Sequence, residues 1–225
     1  MDHQRALVAA VLPRWRSLSH LSCSPRCHPI LPLLIDLEHA RRSLPHLPAD
    51  LGARFAAPED ALRQLVEGRA IAAEHLGQAP TGLWPSEGSV SPETLALAAE
   101  AGFAWVAADQ GVLQRSRRDG PAAVHHPWRL AEGGPALLFR DRDLSDRVGF
   151  HYHQVPGWRA AEDLIEGARR VSGPSGAGVV PVILDGENPW EAYPDAGEGF
   201  LYALARSGAL VAMLDAAARP AGRID

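Results

Sequence analysis

From residue 81 onward the apolar positions switch repeatedly between two periods. Short apolar runs bounded by turn residues predict strands at 81–86 (TGLWPS), 103–109 (FAWVAAD), 135–141 (PALLFRD) and 178–185 (GVVPVILD). Among them, apolar residues recur at helical spacing over 91–102, 157–171 and 197–208. Ser91 and Pro92 provide the N-cap and first helical residue of the first of these helices. Upstream, 58–75 opens on Pro58 and two acids, and Gly77 closes it, which is the end chemistry of a helix. Residues 3–18 set Ala6, Leu7, Ala10, Val11 and Trp15 near helical spacing, with Pro13 as an interruption. Residues 20–25 (HLSCSP) read as a short strand. Pro29 and Pro32 keep the apolar segment 27–36 from forming one regular helix.

Strands alternating with helices imply an α/β fold with a parallel sheet, either open or closed into a barrel. Five strands are visible, fewer than the eight of a complete eight-unit barrel. The spacers are rich in Gly and Pro but short, so the expectation is one domain over 1–225. In this class, chemistry gathers where strands end and the following loops begin. The residues at those ends are Cys23 and Ser24, Ser86 and Glu87, Asp109, Arg140 and Asp141, and Asp185.

Composition narrows the partners. The formal net charge of −5 argues against nucleic acid and against an anionic membrane surface. All basic residues are Arg. No run reaches the ~20 apolar residues that span a bilayer, and the N-terminus lacks a basic start, an apolar core and a cleavage site. Cys23 and Cys27 are the only cysteines. With His28 they could open a metal site, but no second cysteine pair completes it. Two reduced thiols and a cytoplasmic location are the simpler reading.

The segment 179–197 (VVPVILDGENPWEAYPDAG) begins as a core strand and then gathers Asp185, Glu187, Glu191 and Asp195 beside Trp190 and Tyr193. Acids at strand ends beside aromatic rings suit a sugar. Sugar rings present apolar faces that stack on aromatics, and their hydroxyls bind carboxylates, Arg and His. Cleaving a glycosidic bond takes two carboxyl groups: one protonates the leaving oxygen while the other attacks or activates water. Glu87, with Trp84 just before it, fits such a role, and equally fits an acid placed near a helix N-terminus. Asp185 before Gly186, and Asp109 in AADQG, read first as turn chemistry.

Several longer motifs go further. GLWPSEGSVS, WVAADQGVL, LSDRVGFHY and VILDGENPWEAYPDAGEGFLYAL resemble glycoside hydrolase family 57 in its amylopullulanase-like branch, and SCSPRCHPILPLLID is similar to that family's TSPYYHPILPLL segment. The blocks keep the family's order over about 21–207. The resemblance implies an incomplete (β/α)7-type barrel and retaining hydrolysis or transfer on α-glucans, the substrates of α-amylases, without a cofactor or metal. By motif, Glu87 matches the nucleophile and Asp185 the general acid/base, about a hundred positions apart in the chain. His28 matches a substrate-contacting histidine, and Trp84, Asp109 and Trp190 fall where sugar subsites are expected. The rings of 190–193 would then serve as a sugar platform.

Against the family pattern, the chain is expected to be truncated at both ends, lacking an N-terminal strand and a helical extension after about residue 215. A missing strand leaves an open sheet edge, for which the absent part of the barrel or a second copy would be the partner. Two rival readings stand beside the hydrolase. One is an inactive or carbohydrate-binding remnant. The other is a metal-dependent polysaccharide deacetylase using His125, His126, His151 or His153, although the sequence lacks a compact H-x₃-H ligand pair.

Overall fold

The computed structural model describes residues 2–52, 54–116, 124–172, 178–210, 213–219 and 222–224. The chain divides into two compact units. The first holds residues 1–108 and 129–137, and the second holds 109–128 and 138–224.

In the first unit, α1 (Asp2–Trp15) leads into β1 (Ser22–Cys23), α2 (Leu31–Ile35) and α3 (Ala40–Ser43). There follow α4 (Pro58–Leu76), β2 (Gly82–Leu83), α5 (Pro92–Glu100) and β3 (Trp105–Asp109). The unit closes with β4 (Trp128–Leu130) and β5 (Gly133–Arg140), the last of which runs on into the second unit. The strands pair in the order β1-β2-β3-β5-β4. The β1-β2 and β2-β3 pairs are parallel, with Ser22 opposite Gly82 and Gly82 opposite Trp105. Only two residues join β4 to β5, a connection that antiparallel neighbours alone permit. The sheet is therefore mixed and mostly parallel.

The helix ends follow the sequence chemistry. Pro58 starts α4 and Gly77 ends it at φ 77°, donating its N–H to Ala73 O. Ser91 Oγ caps α5 by accepting from the Thr94 N–H at 3.2 Å. On α4 the buried residues are Ala61, Leu65, Gly68 and Leu76, one face at helical spacing. Gly68 sits on that face for want of room: a Cβ there would lie 2.8 Å from Ser24 O and 2.9 Å from Arg26 N. The helix thus packs directly on the loop leaving β1. Leu31, Leu65, Leu83 and Val106 are fully buried, each burial contributing about 1.5–3 kcal/mol.

In the second unit come α6 (Gln110–Ser116), α7 (Arg142–Phe150), α8 (Gly157–Val171), α9 (Glu198–Arg206), α10 (Met213–Ala217) and β6 (Gly222–Ile224). Its core gathers Leu144, Val148, Tyr152, Ala160, Ala161, Leu164, Tyr193 and Phe200. Asp141 caps α7 through the Leu144 N–H at 2.8 Å. Gly157 lets α8 meet the start of α9, since a Cβ there would lie 2.4 Å from Phe200 N. Among the described residues no helix is long and apolar enough to cross a membrane.

One expected strand is absent. Residues 178–185 form neither helix nor ladder. Pro181 has no N–H to give, and among the described residues only two isolated backbone–backbone bonds reach the segment: Val179 N–H to His125 O at 2.8 Å, and Asp141 N–H to Pro181 O at 2.9 Å. Two short strands, β4 and β6, form where the sequence pattern predicts none.

The Gly82–Trp105 pair is the tightest approach in the ladder: a Cβ on Gly82 would lie 2.0 Å from the Trp105 ring. Gly82→Ala should therefore lose about 1–3 kcal/mol of stability in a denaturant titration. Wild-type stability in that variant would show that the indole is not packed there.

Candidate active site

Parallel pairing brings the ends of β1, β2 and β3 out at one edge of the first unit. After β1 the chain turns through 24–28. This turn is held by Arg26 N–H to Gln64 O at 3.0 Å and by Cys27 N–H to Gln64 Oε1 at 2.8 Å. His28 closes it with a left-handed backbone, φ 54°. After β2, half-buried Trp84 donates its N–H to Cys23 O at 3.0 Å, and residues Ser86–Gly88 form a single 3-10 turn. Its middle residue is Glu87, also left-handed at φ 56° and ψ 21°.

A left-handed Glu has no glycine-like tolerance for that conformation, which costs on the order of 1–2 kcal/mol. Beside it, the Ser86 hydroxyl is fully buried and without a hydrogen-bond partner, a further cost of about 1–3 kcal/mol. The same turn exposes the Glu87 side chain (78%) and sets its Oε1 3.5 Å from His28 Nε2. That separation is an ion-pair distance when the imidazole is protonated and is long for a hydrogen bond. Two unfavourable local choices at one strand tip mark a site shaped for something other than stability.

Cys23, one turn upstream, is a poor nucleophile. Burial pushes its thiol up to about 11 against the opposing charge of Arg69, so it is protonated at neutral pH.

In the second unit, Asp109 and Asp185 both follow apolar segments, with different surroundings. Asp109 is half-buried; its carboxylate accepts from the Gly111 N–H at 2.8 Å and pairs with Arg142. Gln110 Oε1 takes the Arg142 N–H at 3.0 Å and so serves as an acceptor at the start of α7. Asp185 is exposed and receives the Asn188 Nδ2 amide at 2.9 Å. Trp190 is half-buried. Its Nε1 donates to Gly186 O at 3.0 Å, and its ring packs on Gly197 and lies 5.5 Å from Tyr193. Tyr193 departs from the expected sugar platform. It is buried among Tyr152, His153 and Phe200, and its hydroxyl donates to Val148 O at 2.7 Å, satisfying a polar tip inside the core. Asp195 accepts the Gly197 and Gly199 N–H groups and so serves the start of α9.

His125 Nε2 lies 2.7 Å from Asp141 Oδ2. Burial alone would raise the Asp141 carboxyl, but the bonds from His125 and the Leu144 N–H, with the charges of His125 and Arg140, outweigh it and hold it below the usual carboxylate range. This histidine is a hydrogen-bonded structural residue. Among the described residues no three His, Cys, Asp or Glu side chains gather as a metal site. The second unit also contains a cavity of about 450 Å³, lined mainly by apolar residues such as Val148, Leu164, Val182 and Phe200. It has few partners for sugar hydroxyls.

A family model described as Glycosyl hydrolase family 57 matches residues 18–212. The chain belongs to this family. No curated protein sequence matches the chain. Among solved structures it is similar to the GH57-type branching enzyme from Pyrococcus horikoshii, with a TM-score of 0.70, 14% identity, and coverage of 100% of this chain and 50% of that one. It is also similar to the alpha-amylase AmyC from Thermotoga maritima, with a TM-score of 0.68, 13% identity, and coverage of 99% and 54%. A third is the 4-alpha-glucanotransferase from Thermococcus litoralis, with a TM-score of 0.54, 18% identity, and coverage of 96% and 30%. The chain thus spans about half the length of the first two and less than a third of the last. At these identities the likeness shows the fold, which is the incomplete (β/α)7-type α/β fold expected from the sequence.

Within this family-57 fold the site residues named from sequence fall as follows. His28, Trp84 and Glu87 lie at the ends of β1 and β2, and His28 and Glu87 meet. Asp109 ends β3 and Asp185 ends the segment that replaces the expected strand, while Trp190 lies in the 3-10 turn Asn188–Ala192 that follows. Sequence reasoning did not single out Arg142 or Ser145, and named Ser86 only as a strand-end residue. Arg142 and Ser145 stand in or beside the quoted LSDRVGFHY block, which was a usable signal. The burial of Ser86 had none.

The strain at Glu87 is testable without substrate. Glu87→Gly should be more stable than Glu87→Ala by about 1 kcal/mol in thermal or denaturant unfolding, since both lose the carboxylate and only Ala keeps a Cβ at positive φ. Equal stabilities would mean that the left-handed turn is not maintained in solution.

Proposed function

We propose that this family-57 chain carries the catalytic groups of a retaining glycoside hydrolase or transferase acting on α-glucans, with Glu87 as nucleophile and Asp185 as general acid/base. The observation that carries this reading is the turn at Glu87: a carboxylate held exposed on a strained left-handed backbone, 3.5 Å from a histidine held the same way. The related structures are a branching enzyme, an alpha-amylase and a 4-alpha-glucanotransferase. The names alpha-amylase and 4-alpha-glucanotransferase support an α-glucan as the substrate class. Within the family, the form of the motifs favours the amylopullulanase-like branch.

In this reading Glu87 attacks the anomeric carbon while Asp185 gives its proton to the departing glycosidic oxygen, leaving a covalent glycosyl-enzyme. Asp185, now a carboxylate, takes a proton from water or from an acceptor sugar hydroxyl. That oxygen attacks the same carbon and frees Glu87. Water gives hydrolysis; a sugar hydroxyl gives transfer or branching. His28 would hold a hydroxyl beside the attacked carbon, and Trp84, Asp109 and Trp190 would line subsites, the indoles offering apolar faces. The scheme uses no cofactor. The whole chain acts in it as one partial catalytic domain, and its two free cysteines suit the reducing cytoplasm.

Glu87→Gln should lower hydrolysis of a reduced maltooligosaccharide by roughly 10⁴-fold or more while its affinity for the sugar, measured by calorimetry, stays within a few-fold. Equal turnover by both proteins would remove Glu87 from the mechanism. Binding without turnover in the wild type would instead favour a carbohydrate-binding role.

A further inference from the structure

Asp185 has little to hold it locally. It is exposed, its one side-chain partner among the described residues is Asn188, and the Gly186 beside it would tolerate a Cβ with nothing within 4 Å. Its position must come from the chain just upstream, and that chain lacks the usual support. Parallel barrels hold strand-end residues through a backbone ladder; here 178–185 has none.

What replaces the ladder is specific. The last backbone bond to the segment is Asp141 N–H to Pro181 O, at 2.9 Å. Beyond it β5 has ended and α7 has begun, so no strand edge continues alongside residues 182–185. At Ile183, two residues before Asp185, side chains take both backbone polar groups. Ser145 Oγ accepts the Ile183 N–H at 3.1 Å, and Arg140 Nε donates to Ile183 O at 2.9 Å. Ser145 is fully buried on α7. Arg140 is fixed from its other end by Asp146 Oδ1, 2.6 Å from Nη2. Gly178 O takes Arg219 Nη1 at 3.4 Å at the start of the segment; from there on the bonded residues are 179, 181 and 183, while Val180, Val182 and Leu184 pack on the apolar core. This is the alternation of a strand whose partner has been exchanged for an arginine and a serine.

We infer that Arg140 and Ser145 are positioning residues that stand in for a missing strand edge and set the reach of Asp185 toward the glycosidic oxygen. The inference rests on the reading of Asp185 as acid/base. Neither residue needs to touch substrate. A misplacement of ~1 Å in a proton donor costs about a hundredfold in rate, and a single unclamped peptide two residues away is enough to allow it.

The test compares two substrates of the full chain. A maltooligosaccharide needs its leaving oxygen protonated, whereas α-maltosyl fluoride expels fluoride with little proton donation. Asp185→Ala should therefore lower kcat/KM on the oligosaccharide far more than on the fluoride. Ser145→Ala and Arg140→Lys should show the same selective loss at smaller size, about 10- to 100-fold on the oligosaccharide and under about 3-fold on the fluoride. The lysine keeps the charge but cannot bridge Ile183 O and Asp146 with one planar fork. Independently, amide hydrogen exchange at Ile183 should quicken at least about tenfold in Ser145→Ala. Equal losses on both substrates, or no loss, with Asp185→Ala still selective, would overturn the positioning role. An unchanged Ile183 exchange rate in Ser145→Ala would do the same. If Asp185→Ala itself shows no selectivity, the acid/base assignment falls, and the inference with it.

Discussion

The register of β1, β2 and β3 is the constraint on which the first unit depends. Ser22, Gly82 and Trp105 stand abreast, as do Cys23, Leu83 and Val106, so β1 and β2 end at one level while β3 runs on to Asp109. Chains leaving such strands must turn at once, and the turns after β1 and β2 do so through left-handed residues, His28 and Glu87. A one-residue slip would send each side chain to the opposite face. Gly82, with no side chain to oppose the Trp105 ring, and Gly68, with none to press on Ser24 and Arg26, keep the strands and the α4 face close enough to prevent it. Small residues at two contacts thus bring a histidine and a carboxylate together.

The second unit solves a related problem by different means. Its acid-bearing segment cannot join a ladder because Pro181 interrupts the donors and its neighbour strand stops short. Packing of Val180, Val182 and Leu184 supplies cohesion, and hydrogen bonds from Arg140, Ser145 and the Asp141 backbone supply direction. Downstream, Trp190 Nε1 holds Gly186 O, so Asp185 is bracketed on both sides by groups outside its own peptide. The acids of the segment divide their duties: Asp195 takes two N–H groups at the start of α9, while Asp185 takes the Asn188 amide as its side-chain partner among the described residues. Of the four acids that the segment carries, Asp195 is therefore helix-end chemistry.

Local chemistry was the legible part of the sequence. Pro58 with Gly77, and Ser91 with Pro92, marked helix ends that the structure keeps, because capping is decided by a few neighbouring residues. The motifs identified the family and the α/β fold. The strand at 178–185 was misread because an apolar run states burial but not whether a hydrogen-bonding neighbour lies alongside. Tyr193 was misread for a related reason: an aromatic among acids looks exposed in one dimension, while its burial depends on Phe200 and Tyr152, set elsewhere in the chain. The left-handed φ of Glu87 could not be read at all, since a Glu is the wrong residue for it by local preference and only the surrounding fold imposes it.

That mismatch between residue and backbone is the centre of the account, in which the turn at Glu87 exists to present an attacking carboxylate. The most direct measurement is to treat the protein with a 5-fluoro-α-maltosyl fluoride, which forms a glycosyl-enzyme faster than it is released, and to locate the label by peptide mass spectrometry. The account predicts one glycosyl ester, on the peptide containing Glu87 and at that residue. A label on Asp185 or any other residue, or turnover of the reagent with no covalent adduct, would contradict it.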